Sequence, residues 1–446
     1  MNGFEKFEAK RRQYLQPPSG ESELIGYPLT YPLGQQRPGL ANGNLYAPYF
    51  FQNGGPWTSG GLGGPWTSGG RGEVGASGGA PVGSLAARTV AAGQPLRVIH
   101  VTTCAAQGGI EQWLQSLIKF ADPARLKFVR CVVTSDYVDP HIAKSYRVPL
   151  EVGGRDSVVR ACRDCDVLLV SDSAGIVEFA HEIKPPLCVM VAHGDGHWTR
   201  TRLEGMRPAV NHVVAVSDLV KKVVCHGFPT TVIHNGVDAG RLAASMGRDA
   251  ARAKFGFQKD DFVLGWVGRF SEEKNPAAVI DAIERLPPNF KVLMVGFGYL
   301  RAELMDLANE RIPGRFAFVR RDEYLGDVYG AMDAFCLTSF SEGFGLVLVE
   351  AMLSGLPIVS TPVGLVHDVV VDRVNGLVVD GEPDSIRDAV LRLQQHSTWR
   401  EGLAHEAHRW ADQHGHASKM AQGYTDLLWS LWDQRAAKSH KSAAGR

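Results

Sequence analysis

The chain has no excess of charge of either sign: among 446 residues, 47 Lys and Arg are matched by 47 Asp and Glu. A chain with zero formal charge lacks the basic field of a nucleic-acid binder, so nucleic acid is not an expected partner. Cysteine is scarce at 7 residues, too few for a disulfide scaffold in so long a chain. The one Cys-x-x-Cys, Cys162 and Cys165, has no second pair with which to build a zinc ribbon, and thiols packed in a reduced interior are expected. No apolar run approaches the roughly 18 residues of a membrane-spanning helix. The N-terminal MNGFEKFEAKRRQYLQPPSG carries charges but not the apolar centre of a secretory signal. These absences lead to the expectation of a cytoplasmic protein of about two to three domains, at roughly 150 residues each.

Glycine and proline are plentiful, but unevenly so. The first 95 residues hold 20 of the 50 glycines and 10 of the 24 prolines, and the octapeptide GGPWTSGG occurs at Gly54–Gly61 and again at Gly63–Gly70. Such a composition does not offset the entropy of ordering, so residues 1–95 are expected to be a disordered extension. Its aromatics (Trp57, Trp66, Tyr27, Tyr31, Tyr46, Tyr49) are candidate contacts for an unknown protein partner; a low-complexity extension without a binding role is the alternative.

From Leu96 the texture changes. Short apolar runs at 97–103, 128–135, 166–171, 187–193, 212–216 and 231–234 alternate with helical segments such as 110–120 and 218–226. The pattern restarts at 262–267 and continues through 291–295, 316–319, 334–338, 357–360 and 376–379, again with helices between. Strands buried on both faces and separated by helices predict parallel sheets, hence an α/β fold of two tandem Rossmann-like, doubly wound domains facing across a cleft. A helical pattern from 399 to 432 follows, with Trp429 and Trp432 on one face.

The candidate chemistry falls at strand-to-helix junctions. Gly268-Arg269-Phe270-Ser271-Glu272-Glu273-Lys274 follows a strand and delivers two cations suited to a diphosphate; a surface pair with Lys274 balancing Glu272 or Glu273 is the bland reading. Ser341-Glu342-Gly343-Phe344-Gly345-Leu346 opens the helix that carries Glu350. Its glycines admit a ligand to the backbone, and a helix N-terminus binds anions. Glu342 could instead be a capping acid, and Glu350 a solvated one, although a carboxylate in so apolar a helix calls for a partner. Gly108-Gly109-Ile110-Glu111 forms a turn after the first strand. His193, at a strand end and followed by Gly194-Asp195, points into the cleft; no third metal ligand is evident near it, so no metal site is expected. The sequence Gly296-Phe297-Gly298-Tyr299-Leu300-Arg301 puts arginine where a dinucleotide fingerprint needs Gly or Ala, which argues against nicotinamide or flavin. Ser341 and Ser217 lack the Gly-x-Ser-x-Gly elbow of a hydrolase.

With GGIE (108–111), VIHNGVD (232–238), GRFSEEKNP (268–276), VGFG (295–298) and SEGFGLVLVEAMLSGLPIVSTPVG (341–364), the chain from about Leu96 to Trp432 resembles the retaining glycosyltransferases of GT-B fold, family 4. The resemblance implies an acceptor-side domain at 96–238, a nucleotide-sugar donor domain at 239–414, and a C-terminal helix and tail at 415–446 crossing back to the first. It implies transfer of a sugar from a nucleoside-diphosphate donor to a hydroxyl acceptor with retention, without metal or cofactor. Arg269 and Lys274 would hold the diphosphate, with Gly268 in the same turn. Glu342 would face the donor sugar and Glu350 the ribose hydroxyls. The amides of Phe344, Gly345 and Leu346 would meet sugar and phosphate, His193 the donor sugar, and Gly109 would line the cleft. The chain departs from the family in a short first domain, in Arg320–Glu323 without the usual glycine, and in an uncommon His193-Gly194-Asp195. A nucleotide-sugar epimerase or hydrolase on the same scaffold and a non-catalytic sugar-nucleotide module are the alternatives. Lys221 and Lys222 are candidate peripheral contacts with an anionic inner membrane face, or simply a solvated helix face.

Overall fold

The computed structural model describes residues 3–15, 90, 93–106, 108–135, 137–171, 175–320 and 324–444. The repeats and aromatics of the expected arm, and residues 321–323, lie outside them.

Runs of Val, Ile and Leu buried on both faces form the central strands, as their lack of polar alternation requires, while three of the edge strands are only partly buried. The first seven are β1 (Leu96–Thr102), β2 (Leu126–Val133), β3 (Leu150–Val152), β4 (Val167–Val170), β5 (Leu187–Ala192), β6 (His212–Ala215) and β7 (Thr230–Val232). They make one parallel sheet in the order β3-β2-β1-β4-β5-β6-β7. The next six are β8 (Phe262–Arg269), β9 (Phe290–Phe297), β10 (Phe316–Val319), β11 (Ala334–Leu337), β12 (Ile358–Ser360) and β13 (Leu377–Val378). They form a second parallel sheet in the order β10-β9-β8-β11-β12-β13. Each sheet reverses its winding beside its first strand, between β1 and β4 and between β8 and β11. Such a reversal opens a crevice at the carboxyl ends of the strands.

Six helices matter for the site: α1 (Gly3–Leu15), α2 (Gly109–Phe120), α3 (Asp218–Val224), α4 (Leu346–Leu353), α5 (Ser397–His414) and α6 (Ala417–Ala444). Two differ from expectation. The helical tail is not continuous but breaks at Gly415-His416, where the Val237 amide donates to Gly415 O (2.7 Å) and the Ala417 amide to Val237 O (2.9 Å). This backbone pairing ties the linker between the lobes to the point where the chain turns back. From there α6 returns to the first lobe, burying Tyr424 and Trp432, and Trp429 Nε1 donates to Arg125 O (3.1 Å). The second difference is α1. Residues 3–15 fall within the segment expected to be disordered, yet they form a helix with Phe7 in the core. β3 was also missed, because its three residues include Glu151 and offer no apolar run.

All seven cysteines are free thiols, and only Cys104 is not buried. Among the described residues no helix is long and apolar enough to cross a membrane.

Candidate functional site

At the winding reversal of the second sheet, the loops leaving β8 and β11 lie side by side. Trp266 Nε1 donates to Thr338 Oγ1 (3.1 Å), and that hydroxyl reaches the carbonyls of Lys274 and Asn275 (2.9 Å each). The Phe340 amide donates to Glu273 O (2.8 Å). These bonds fix Lys274 against the second loop. Its Nζ lies 2.8 Å from Glu342 Oε1 and 3.2 Å from Ser341 O. The lysine therefore balances Glu342, not Glu272 or Glu273, and Ser339 Oγ donates to the same carboxylate (2.9 Å). Arg269, at the end of β8, is exposed, and its guanidinium has no partner among the described residues.

The tip of α4 completes the arrangement. Gly345 precedes it with φ 90°, a left-handed conformation that glycine adopts without penalty. The amides of Gly345, Leu346 and Val347 find no acceptor among the described residues, whereas Leu348 already donates to Gly345 O (2.9 Å). Unpaired amides at a positive dipole end suit such a tip to receiving an anion. Glu342 is no cap, since no side chain caps α4. Glu350 is buried inside the helix and accepts from Tyr329 OH at 2.7 Å, which supplies the partner its apolar setting demands.

The first lobe meets this loop closely. A Cβ on Gly343 would lie 1.8 Å from His193 O and 3.0 Å from Gly194 Cα, so glycine is required for the contact. Ser217 Oγ, which caps α3, donates to Gly343 O (2.7 Å), and Ser341 Oγ donates to Asp195 Oδ1 (2.7 Å). Both serines thus tie the lobes together instead of standing as nucleophiles. Gly109, at the start of α2, faces Leu346, whose Cδ1 would be 3.7 Å from an added Cβ. Lys221 and Lys222 stand exposed on α3.

The structure therefore brings together Lys274, Glu342, the α4 tip, the backbone of His193 and Gly109, while Gly268 and Arg269 end the neighbouring strand β8 with no side-chain contact to them among the described residues. Asp195 is weighed in the sequence only as a metal ligand and Ser217 only as a nucleophile, while Tyr329, and Arg11 at 3.2 Å from Asp195 Oδ2, have no motif to mark them. Asp218, His234 and Asp368 bring ligand atoms within 4.8 Å of one another, but Asp368 already accepts from the Asp218 amide (2.8 Å) and faces His234 Nε2 (3.4 Å).

His193 packs edge-on against Trp113 (ring centroids 4.8 Å apart), and its Nε2 is buried without a partner among the described residues. Burial lowers its pKa from 6.5 to about 3, so the ring is neutral near pH 7 and does not cycle protons there. His100, behind it in β1, is also lowered to about 3, first by burial and then by His193. It sits between Cys131 Sγ (3.1 Å) and Ser171 Oγ (2.8 Å). Both folded-state values lie below the unfolded one, so the unfolded chain binds more protons and stability is lost as pH falls from 6.5 towards 3. Because the unfolded histidines are half protonated at pH 6.5 and the slope approaches about 1.4 kcal/mol per pH unit each only below it, denaturant titrations should show a loss of about 3 kcal/mol between pH 6.5 and 5. Equal stability at the two values would contradict this.

Residues 247–410 match the family model described as glycosyl transferases group 1. Over 186 residues the chain is 37% identical to the D-inositol 3-phosphate glycosyltransferase of Mycolicibacterium smegmatis, covering 40% of this chain and 42% of that protein. A longer match, 281 residues at 29% identity, covers 59% of this chain and 52% of the D-inositol 3-phosphate glycosyltransferase of Mycobacterium bovis. The chain thus spans about half the length of the curated relatives it matches. Anabaena Alr3699/HepE, solved in complex with UDP-glucose, superposes with a TM-score of 0.67 at 22% identity, covering 75% of this chain and 100% of that one. WaaG, a glycosyltransferase involved in lipopolysaccharide biosynthesis, gives 0.59 at 16% identity, covering 74% of this chain and 99% of its own. The chain has the two-lobed GT-B fold, and its residues 247–410 are similar to the glycosyl transferases group 1 family.

Proposed function

We propose that this protein transfers a sugar from a nucleoside-diphosphate donor to a hydroxyl acceptor, with retention of configuration. The observation that carries this reading is the α4 tip: unpaired amides at a winding reversal, in the loop whose Glu342 pairs with Lys274. As the glycosidic carbon–oxygen bond breaks, negative charge grows on the leaving diphosphate and the sugar becomes oxocarbenium-like. Fixed donors aimed at that charge stabilise the transition state more than the ground state. Arg269 and Lys274 take the phosphate oxygens, and the amides of Phe344, Gly345 and Leu346 take phosphate and sugar. Glu342, which Lys274 holds before the donor arrives, faces the donor sugar.

His193 is neutral, so its role is to bind a sugar hydroxyl and not to deliver a proton. The acceptor attacks from the face the diphosphate leaves, and the departing phosphate oxygen takes the acceptor's proton. No nucleophile of the chain and no metal enters these steps. Glu350, oriented by Tyr329, is assigned to the ribose hydroxyls. Gly268 and Gly109 line the donor side, and the close fit of Gly343 against His193 excludes water from the reacting carbon.

The relatives' names set the first substrates to try: UDP-glucose as donor and a phosphorylated cyclitol as acceptor. Incubation with a panel of nucleoside-diphosphate sugars and such acceptors, read by mass spectrometry and by NMR of the anomeric proton, should give a glycoside with the donor's own configuration. An inverted product would refute retention. Conversion of the donor that is equally fast with and without acceptor would point to an epimerase or hydrolase.

A further inference from the structure

We propose that α1 is a detachable cover over the mouth of the cleft, seated by Arg11 on Asp195, and that it restrains turnover until it leaves. This deepens the transferase reading and rests on it for its rate readout alone.

Phe7 and Arg11 stand four residues apart, on the one face that α1 buries. Arg11 Nη2 lies 3.2 Å from Asp195 Oδ2, with side chains 9% and 1% exposed. Asp195 follows β5 of the first lobe and gives its other oxygen to Ser341 of the second. On the second lobe the centre is Phe340, two residues before Glu342. Phe7 packs 5.9 Å from that ring, Tyr14 stacks on it at 5.4 Å and 7°, and Lys10 lies 5.6 Å from its centroid. Lys10 also reaches Glu382, in the loop after β13, at 3.4 Å. One helix therefore crosses the carboxyl ends of β5, β11 and β13, the side from which open α/β sheets admit ligands.

Two features make this a seat that can be vacated. Its hold is narrow: one fully buried aromatic, one buried ion pair and contacts at the rim. A helix of 13 residues is marginal in water without such docking, so leaving and unfolding go together. The fit is also imperfect, because Arg11 Nε is buried without a partner among the described residues, and solvent supplies that partner once the helix departs. When α1 is gone, Asp195 presents one carboxylate oxygen to the cleft beside Glu342. An incoming polyol could then use it to receive a hydroxyl.

The test uses the full chain and two substitutions confined to α1. Arg11→Glu sets like charges together at Asp195, and Phe7→Asp removes the apolar anchor. Hydrogen exchange should show protected amides over 7–15 in the unmodified protein, the first turn of a helix having no intrahelical acceptors. In both variants that protection should be lost, with faster exchange at 193–196 and 339–342 and the strands unchanged. Turnover of UDP-glucose with acceptor should rise about tenfold, as expected when a closed majority is released. Unprotected α1 amides in the unmodified protein would overturn the proposal, as would released α1 with unchanged or lower turnover. Should no form transfer sugar to any acceptor, the transferase reading fails, and exchange alone decides whether α1 covers the cleft.

Discussion

Replacing Arg269 with alanine is expected to reduce turnover by about 10²–10³-fold, the usual loss when one preorganised donor to a developing negative charge is removed. The fold should be untouched. The guanidinium is exposed and makes no ion pair or hydrogen bond among the described residues, and surface substitutions of this kind stay within about 0.5 kcal/mol. An exposed arginine with no structural partner, at the end of a buried strand, is what a ligand-binding role requires. Lys274 differs, because its pairing with Glu342 (2.8 Å) means its loss also strands a carboxylate. Arg269→Ala is therefore the cleaner variant. Initial rates with donor and acceptor, together with thermal melts, check the prediction; a rate within threefold of the parent would contradict it.

Gly343→Ala should be nearly as damaging, for a different reason. The added Cβ would lie 1.8 Å from His193 O and 2.6 Å from its carbonyl carbon. Both are backbone atoms, so no rotamer can relieve the clash. The lobes must separate or the loop must shift by an ångström or more, taking Glu342 and the α4 tip with it. A misplacement of about 1 Å can cost about 100-fold in rate, and that is the expected loss in kcat/KM. The buried apolar cluster is continuous from one lobe to the other, so the melting temperature should fall as well, while small-angle scattering shows the lobes further apart. Unchanged kcat/KM in Gly343→Ala would show that the closed contact is not the working geometry.

Most of the second lobe was legible, because its evidence is local. Its strands are mainly apolar runs, each motif follows its strand directly, and Gly345 announces the start of α4. The partners of those motif residues were not legible. Lys274 and Glu342 meet because β8 and β11 are neighbours in the sheet, a fact of winding that spacing along the chain does not encode. Tyr329 beneath Glu350 is hidden for the same reason, although the need for such a partner could be inferred from the apolar helix. In the first lobe the contacts that matter join one lobe to the other: Ser217 to Gly343, Asp195 to Ser341.

α1 was missed because composition was averaged over 95 residues. Phe4, Phe7, Arg11 and Tyr14 have helical spacing, but the glycine-rich stretch after them dominates any wide window. A narrower window would have separated 3–15 from the remainder. The break at Gly415-His416 was concealed in a similar way, since the apolar pattern resumes on its far side and only the pairing with Val237 reveals the turn.

The reading of the crevice as a diphosphate receptor is tested most directly by titrating uridine, UMP and UDP calorimetrically into the unmodified protein and into Arg269→Ala. The account predicts that affinity climbs steeply from nucleoside to diphosphate, and that the substitution flattens this climb while uridine itself binds as before. Equal affinities for the three ligands, or a climb that survives the loss of Arg269 undiminished, would contradict it.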